Sequence, residues 1–390
     1  MAERARRAHR VAVTGVAART AFGRDGAALL ADGFAGTPAF APVTRFDTAG
    51  RRTTTAATLP GDPVLADELV GAIEDAVVGT GVTTRAGVPL LLAAHADAGN
   101  AALAAEVAAR TGFAGPARTY TGACVAATSA LADAATLIAT GRAERVVVAA
   151  GYLVEPSTFA LFDAGRALSR DGRVRPFSAG RQGMLLGDGV AAVVLESASP
   201  LGIGAGGIGT VLASVAVDPG VPVDVAVRES PRAARPLAWL AGWARSGDAY
   251  HVCKPKPDGT GLARAITGAL DRADVAPPEV GYVNANGTGT AFNDAAEVAA
   301  LRLAGLGAVP TSSTKSVHGH ALEASGLVEF VVTVLALGGG TLPVNSGYLG
   351  ADPDCAIDVI TGPRRAEPAY ALTVNAAFGG ANTALLLGAA

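Results

Sequence analysis

Cysteine is scarce in this chain, and no cysteine pattern that would hold a metal is present. The 390 residues contain three cysteines, Cys124, Cys253 and Cys355, and none belongs to a Cys-x-x-Cys pair. Three cysteines cannot all pair with one another, which argues against a disulfide framework and favours a reducing compartment. We therefore expect a cytoplasmic protein with no metal site.

A basic excess and long apolar runs are also missing. The formal net charge is −3, which lacks the basic balance of nucleic-acid-binding proteins, although arginines make the first ten residues locally positive. No apolar run reaches the roughly 18 residues of a membrane span. The early stretch VAVTGVA is too short for a secretory signal. We expect a soluble, unprocessed protein with no nucleic acid and no membrane partner.

The residues that are present predict an α/β fold. Half of the chain is hydrophobic, enough for a large core in two domains or one duplicated unit. Short β-branched runs alternate with alanine-rich helical runs, which is typical of mainly parallel sheets. Strands are predicted over 10–16, 89–95, 145–151, 191–197, 210–217, 280–285, 370–376 and 383–389. Helices are predicted over 101–111, 261–273 and 293–304, from just after Cys124 to near Gly141, and within 320–337.

The order of these elements indicates an internal duplication. Each half ends with a helix followed by two strands, and the helix after Cys124 has the same place as the helix that begins near His320. A Gly- and Pro-rich stretch over 199–209 marks the boundary, which predicts halves over 1–204 and 205–390. The segment 155–188 carries five arginines and is expected to run over the surface, as a lid or carrier-docking surface or as a solvated loop.

Cys124, within TGACVAATSAL, is the candidate nucleophile. An isolated cysteine is more often a small apolar core residue than a catalytic one. At the start of a helix, however, its thiol would face the positive end of the helix dipole and free backbone N–H groups, both of which favour the thiolate. A thiolate can attack a thioester.

Two further segments carry polar side chains that suit catalysis. In STKSVHGH, His320 is the candidate acid or base, neutral through a depressed pKa at a helix start, whereas His318 suits a structural or surface role. Lys315 either forms a buried ion pair with Glu329 or lies on the surface. The segment 284–294, NANGTGTAFND, lacks the glycine spacings of nucleotide loops. Asn286 can instead aim its amide at a substrate oxygen.

Seven blocks of sequence, in order, resemble the β-ketoacyl synthases of the thiolase superfamily, in the type II fatty-acid and polyketide elongating branch. The blocks are RRAHRVAVTGVAARTAFG, TGAC, RPFSAGRQGMLLGDGVAAVVLE, GDAYHVCKPKPDGTG, NANGTGTAFND, STKSVHGHALEASGLVE and AAFGGANTALLL. The resemblance implies two similar halves in a five-layered αβαβα core, within a homodimer or a heterodimer with a related chain. It also implies an acyl-carrier protein as partner and no cofactor beyond the phosphopantetheine of that carrier.

The same resemblance implies roles for individual residues. The family's nucleophile corresponds to Cys124 and its second catalytic histidine to His320. The other implied site residues are Lys315 and Glu329 as the family's lysine and glutamate, Phe378 with Cys124 as donors of the oxyanion hole, Thr288 and Thr290 on the phosphopantetheine, and Gly379 in the AFGG gate beside the substrate.

Asn286 departs from the family pattern. Elongating synthases have histidine there, so this chain carries a Cys–Asn–His set. The family's first histidine helps decarboxylate the malonyl extender and stabilises the enolate, whereas an amide cannot become cationic or transfer a proton efficiently. Thiolases also place an asparagine near this position, but AFGGAN lacks the second cysteine that thiolases use as a base.

Three functions stay open on the sequence. The first is condensation, in which an acyl group on Cys124 is attacked by a carbon nucleophile. The second keeps acylation of Cys124 but ends in acyl transfer or in ring closure of the bound chain. The third is a non-catalytic partner like a chain-length factor, which the retained cysteine argues against. Four phenylalanines either line the pocket or belong to the core: Phe159, Phe162, Phe177 and Phe292.

Overall fold

A ten-stranded sheet organises the part of the chain that the structure describes. A computed structural model describes residues 10–80, 82, 84–95, 99–115, 119–198 and 235–390. The proposed boundary over 199–209 and the predicted strand over 210–217 lie outside these residues, as do the N-terminal arginines before Arg10. From edge to edge, the strands run in the order β3 (Thr119–Tyr120), β2 (Leu90–Ala94), β4 (Arg145–Tyr152), β5 (Gly189–Ser197), β1 (Val11–Thr20), β6 (Ala238–Gly247), β10 (Ala381–Ala389), β9 (Tyr370–Ala377), β7 (Val280–Asn284) and β8 (Thr311–Ser312).

The elements follow one another along the chain in two series. In the first are β1 (Val11–Thr20), α1 (Leu65–Val77), β2 (Leu90–Ala94), α2 (Asn100–Thr111), β3 (Thr119–Tyr120), α3 (Ala126–Ala139), β4 (Arg145–Tyr152), α4 (Pro156–Ala164) and β5 (Gly189–Ser197). In the second are β6 (Ala238–Gly247), α5 (Thr260–Ala273), β7 (Val280–Asn284), α6 (Ala291–Leu303), β8 (Thr311–Ser312), α7 (Ser325–Gly339), β9 (Tyr370–Ala377) and β10 (Ala381–Ala389). Shorter pieces include Gly26–Ala28, Leu29–Gly33, Ala41–Pro42, Thr55–Ala56, Lys315–His318, Thr341–Leu342 and Arg364–Arg365.

The two series repeat the same pairing of strands. Within each, the second strand pairs in parallel with the third and the fourth, and the fifth pairs antiparallel with the fourth and the first. The halves meet where β1 pairs antiparallel with β6 over Val11–Val13. The duplication is therefore present in the structure, but the prediction of mainly parallel sheets is wrong. The turn Phe378–Gly380 shows why, because so short a connection between β9 and β10 permits only an antiparallel pair.

Helices cover both faces of each half and give the predicted five layers. One apolar cluster joins α1 and α2 to the outer face of the first half, and another joins α5 and α6 to the outer face of the second. The largest cluster contains α3 and α7, which pack on each other and on strands of both halves. Because α3 and α7 form the middle layer, their N-termini bring the two halves of the chain together.

The middle helices have sequences suited to complete burial. Every residue of α7 from Ser325 to Leu337 is buried, and a helix that is apolar all round belongs in a core. The 18-residue stretch Leu322–Gly339 has a mean hydropathy of 1.6, enough for a membrane span, yet 89% of it is buried inside the structure. It includes Glu323 and Glu329, whose burial is explained by the site described below.

Some details differ from the sequence predictions. The predictions leave out the strands β3, β6 and β8 and the helices α1 and α4, although buried Leu69, Ile73 and Ala76 follow a helical spacing in α1. The surface path predicted for 155–188 is wrong for its second part. Arg175 and Phe177 are buried there, and the Phe177 N–H donates to the buried Asp294 while Leu186 forms a bridge with His320.

Gly326 allows the close crossing of the two middle helices, and we expect Gly326→Ala to destabilise the protein. A Cβ atom there would lie 2.5 Å from Thr128 Cγ2 and 2.8 Å from Asn375 Oδ1. Overpacking of this kind costs about 1 to 3 kcal/mol in the free energy of unfolding. Gly338→Ala, in the same helix with nothing within 4 Å, is the control, and alanine there should stabilise by up to about 1 kcal/mol. Urea denaturation of both variants measures the difference, and equal stabilities would contradict the packing argument.

Candidate active site

Cys124 lies in a strained turn at the entrance to α3. The turn, Ala123–Val125, is a single 3-10 turn, and α3 begins at Ala126 as the sequence predicts. Ala123 has a φ of 50°, a left-handed conformation that costs a residue with a side chain about 1 to 3 kcal/mol. Cys124 keeps part of its surface accessible. The turn therefore presents the thiol at the end of the middle layer where substrate can reach it.

His320 contacts the thiol directly. Its Nε2 lies 3.1 Å from Cys124 Sγ, although the two residues are 196 positions apart in the chain. The backbone of His320 is fixed on both sides by the segment beneath it, since its N–H donates to Leu185 and its carbonyl accepts from Gly187. Gly187 is required for this close approach, because a Cβ atom there would lie 2.0 Å from the carbonyl oxygen of His318.

Ser325 determines which nitrogen of His320 carries the proton. Its hydroxyl donates to Glu329 Oε1 at 3.0 Å, so the serine has only lone pairs left for His320 Nδ1, 3.1 Å away. Nδ1 must therefore be the protonated nitrogen of the neutral imidazole, and Nε2 is free to accept from the thiol of Cys124. The arrangement makes His320 a base for Cys124.

Glu329 and Lys315 form a fully buried ion pair behind this histidine. Their side chains are 0% and 1% exposed, respectively. Burial raises the pKa of Glu329, and the donors Lys315, Asn375 and Ser325, all aimed at its carboxylate oxygens, oppose that effect. The predicted ion pair is therefore present, and the alternative of a surface lysine is wrong.

Asn286 is the next group in the same chain of hydrogen bonds. Its Oδ1 accepts from Lys315 Nζ at 3.2 Å, and its Nδ2 donates to Asn293 Oδ1 at 2.9 Å. The backbone N–H groups of Asn286 and Gly287 donate to the two oxygens of Glu297. The side-chain amide is thus held by two partners and the backbone by a third, and Asn286 is 1% exposed. One N–H bond of the amide is left for a ligand.

The electrostatics of the cysteine differ from the sequence prediction. Burial raises the pKa of Cys124 to about 12, and this effect outweighs Lys315, which lowers it. Glu323 and Glu329 raise that pKa further. The expected shift towards the thiolate is therefore reversed. Loss of water around the sulfur destabilises the thiolate more than the nearby cation and the helix terminus stabilise it.

The two histidines are both neutral, but not because of a helix terminus. Burial, then Lys315, then His318 hold the pKa of His320 well below its usual range. His320 precedes α7 by a separate 3-10 turn, Leu322–Ala324. Burial lowers the pKa of His318 to about 3. Its two nitrogens contact Thr314 Oγ1 and the carbonyl of Gly319, so the structure places it in the core and not at the thiol.

The remaining predicted site residues lie in two turns, one before α6 and one after β9. Thr288 and Thr290 hydroxyls are 2.9 Å apart, and Thr288 is nearly buried. Phe378 opens the turn after β9, a strand that packs on the Cys124 turn. Its ring is 53% exposed and stacks on Phe162 with 6.0 Å between centroids. Gly379 has a φ of 83°, and its N–H donates to Val252.

The four phenylalanines divide between core and surface. Phe159 and Phe177 are fully buried, as expected of core aromatics. Phe162 is packed under Phe378, and Phe292 is 63% exposed with the Lys254 ammonium 4.7 Å from its ring centre.

Sequence reasoning missed several residues that hold the site together. Ser325 precedes Glu329 by four positions in α7, and Asn293 precedes Glu297 by four in α6, so each pair shares a helix face. Asn375 is a fully buried amide in the strand YALTVNAA. A polar residue at a buried position of a predicted strand was the signal available for Asn375.

Alkylation of Cys124 should report a neutral thiol. Since its pKa is raised to about 12, the thiolate fraction and the rate with iodoacetamide should rise about tenfold per pH unit from about pH 7 to about pH 9. Mass mapping of the digested peptides follows Cys124, with the exposed Cys253 as a comparison in the same sample. A rate at Cys124 that levels off near neutral pH would indicate a thiolate–imidazolium pair and contradict this assignment.

Comparisons with known proteins agree with this geometry. Residues 77–200 match the family model of the β-ketoacyl synthase N-terminal domain, and residues 237–348 match that of the C-terminal domain. The chain is similar to a putative polyketide β-ketoacyl synthase 1 of Streptomyces cyaneus, with 36% identity over 298 residues, 73% of this chain and 63% of that protein. It is 33% identical over 285 residues to the 3-oxoacyl-[acyl-carrier-protein] synthase 2 of Synechocystis, covering 70% of this chain and 62% of that protein.

The matched stretches thus span just under two thirds of the length of these relatives. Among solved structures, the ishigamide ketosynthase/chain length factor superposes with a TM-score of 0.84 and 27% identity, over 98% of this chain and 99% of that one. A β-ketoacyl synthase from Burkholderia phymatum shares the fold, with a TM-score of 0.83 and 24% identity over 98% of this chain and 100% of that one. Family models on both halves, the relatives and the shared thiolase fold show that the chain belongs to the β-ketoacyl synthases of the thiolase superfamily.

Proposed function

We propose that the chain takes an acyl group from an acyl-carrier protein onto Cys124 and uses that thioester in carbon–carbon bond formation. The observation that carries this proposal is the 3.1 Å contact between Cys124 Sγ and an unprotonated His320 Nε2. A cysteine kept only for packing needs no such partner. The relatives named above, one of them a synthase named for its acyl-carrier protein, support the substrate class.

Acylation follows from the arrangement of the groups. The sulfur attacks the carbonyl carbon of the carrier thioester while its proton passes to His320 Nε2. Ser325 and Glu329 stabilise the imidazolium that results, because the carboxylate lies one hydrogen bond behind it. His320 then returns the proton to the departing carrier thiol. Backbone N–H groups of Cys124 and Phe378 are proposed as the donors to the oxyanion.

Asn286 decides how the acyl group is used. Its remaining N–H can polarise a carbonyl, and Lys315 behind it increases that polarity. An amide cannot transfer a proton efficiently to a substrate, so decarboxylation of a malonyl extender lacks its usual acid. The second candidate function, acyl transfer or ring closure, is favoured by this one feature. The chain-length-factor alternative is disfavoured by the intact contact between Cys124 and His320.

The partners and the division of the chain belong to the same proposal. Thr288 and Thr290 would contact the phosphopantetheine arm, Gly379 and Phe378 would border the acyl chain, and no cofactor is bound by the protein itself. Among the strands of the described residues, β3 lies at one edge of the sheet, and such an edge suits a homodimer or a related ketosynthase-like partner. The ishigamide relative is itself a ketosynthase/chain length factor. We keep halves over 1–204 and 205–390 and a cytoplasmic location.

Acylation of Cys124 tests the proposal. Intact-protein mass spectrometry with a panel of acyl-carrier thioesters should show one acyl adduct, absent in Cys124→Ala and retained in Cys253→Ala, the exposed control.

Loss of the base in His320→Ala should slow acylation about 100-fold or more. His318→Ala should lower the melting temperature instead, since His318 is buried and touches no sulfur. Adducts on Cys253 or Cys355, or equal kinetic losses at both histidines, would contradict the assignment.

Decarboxylation tests the role of Asn286. We expect release of labelled carbon dioxide from malonyl-carrier protein to be slow in the native protein and faster in Asn286→His. Restoring a group that can donate a proton recovers a factor on the order of 100. Asn286→Ala is the control, because it removes the amide without adding an imidazole. If the native protein released carbon dioxide as fast as a Cys–His–His synthase, the proposed effect of Asn286 would be wrong, and the protein would be a conventional elongating enzyme.

A further inference from the structure

Glu323 occupies in the second half of the chain the place that Cys124 occupies in the first. It is the middle residue of the 3-10 turn Leu322–Ala324, which leads into α7 as Ala123–Val125 leads into α3. Leu322 has a φ of 43° and Ala123 a φ of 50°, so both turns carry the same left-handed strain. The two turns contact each other. The repeat of the fold thus brings two reactive side chains to one place.

The carboxylate of Glu323 is buried and only half satisfied. Glu323 is 4% exposed, and its Oε1 lies 3.0 Å from His95 Nδ1. Its Oε2 is the one buried carboxylate oxygen without a hydrogen-bond partner in the described part of the chain. A buried acceptor without a partner costs about 1 to 3 kcal/mol, and more when it is charged. Nothing in the packing of the turn explains why such an oxygen is kept.

The surroundings of Glu323 connect it both to the thiol and to water. Its charge acts on Cys124 strongly enough to raise the pKa of that cysteine. His95 follows β2, and its side chain is 39% exposed, so the imidazole links the buried carboxylate to the surface. The other polar groups of the site are already engaged, since His320 faces Cys124 and the amide of Asn286, which carries no transferable proton, is held by Lys315 and Asn293.

We propose that Glu323, positioned by His95, is a second base of this active site and deprotonates the nucleophile that attacks the acyl group on Cys124. This inference rests on the proposed function, and it names the class of nucleophile. A malonyl extender generates its carbanion by losing carbon dioxide and needs no base. A base is needed when the nucleophile is a hydroxyl, an amine or the acidic carbon of a β-ketoacyl chain. Glu323 therefore points to acyl transfer or ring closure.

The step balances without a further reagent. The proton of the nucleophile passes to Glu323 Oε2, and the electron pair it leaves forms the bond to the acyl carbonyl carbon. The carbon–sulfur bond then breaks, and Cys124 leaves as a thiolate. Glu323 returns the proton to that thiolate, which restores both residues. His95 acts through Glu323 by holding Oε1, so it is a positioning residue.

The decay of the acyl adduct tests this proposal. Native protein and Glu323→Gln are loaded from carrier thioesters that bear ω-hydroxyacyl, ω-aminoacyl or poly-β-ketoacyl chains, the last of which have an acidic carbon far enough from the thioester to reach it. An unsubstituted alkyl chain of equal length is the matched substrate. Glutamine keeps the shape of glutamate, and Glu155→Gln is the control at a partly exposed carboxylate that accepts from Ser157 Oγ. Intact-protein mass spectrometry follows the formation and the loss of acyl-Cys124.

We expect Glu323→Gln to form the adduct at least as fast as the native protein, because removing this charge favours the thiolate. Loss of the adduct from at least one functionalised chain should slow about 100-fold or more, whereas the alkyl adduct persists in both proteins. His95→Gln should show a smaller loss in the same step. A merely structural role would slow both steps together and overturn the proposal. Two other results would also overturn it. One is an adduct that decays as fast in Glu323→Gln as in the native protein. The other is a native protein whose functionalised adducts all decay no faster than its alkyl adduct. A native protein that forms no adduct at Cys124 would overturn the proposed function itself.

Discussion

The ion pair between Lys315 and Glu329 is the interaction on which the site depends. Two charges with no contact to water are costly, and they are tolerated only when each oxygen and each N–H has a partner. Those partners come from distant parts of the chain: Asn286 after β7, Ser325 in α7 and Asn375 in β9. The need to satisfy the pair therefore fixes where these elements lie relative to one another. The same bonds place His320 against Cys124.

The position of the site follows from the repeat of the fold. Each half sends one helix into the middle layer, and each helix is entered through a strained 3-10 turn. Because the two turns contact each other, residues almost two hundred positions apart become neighbours. Small residues at the crossing, with Gly326 against Thr128, permit that approach. The closeness that builds the site also removes water from it, and this loss of water disfavours the charged forms of Cys124 and His320.

Cys124 and His320 are consequently neutral groups that lie next to the buried Lys315–Glu329 ion pair. Cys124 and His320 are a thiol and an imidazole at rest, since loss of water disfavours the charged forms of both. Attack by the sulfur of Cys124 then depends on proton transfer to His320 during the reaction and not on a thiolate that is present beforehand. Asn286 fits this scheme as a fixed dipole, held by Lys315 and Asn293. The buried carboxylate of Glu323 is the exception, because it places a second charge close to the thiol.

The sequence alone determined the duplicated α/β architecture, most of the strands and helices, and the residues that bear the chemistry. These features depend on local patterns: alternating apolar runs, small residues before a helix, and ordered blocks that resemble one family. The burial of Arg175 and Phe177 and the neutral state of Cys124 were decided by the tertiary structure. Each depends on what packs against a residue from elsewhere in the chain. Pairings such as Glu323 with His95, 228 positions apart, leave no local pattern, because folding alone brings such residues within reach of one another.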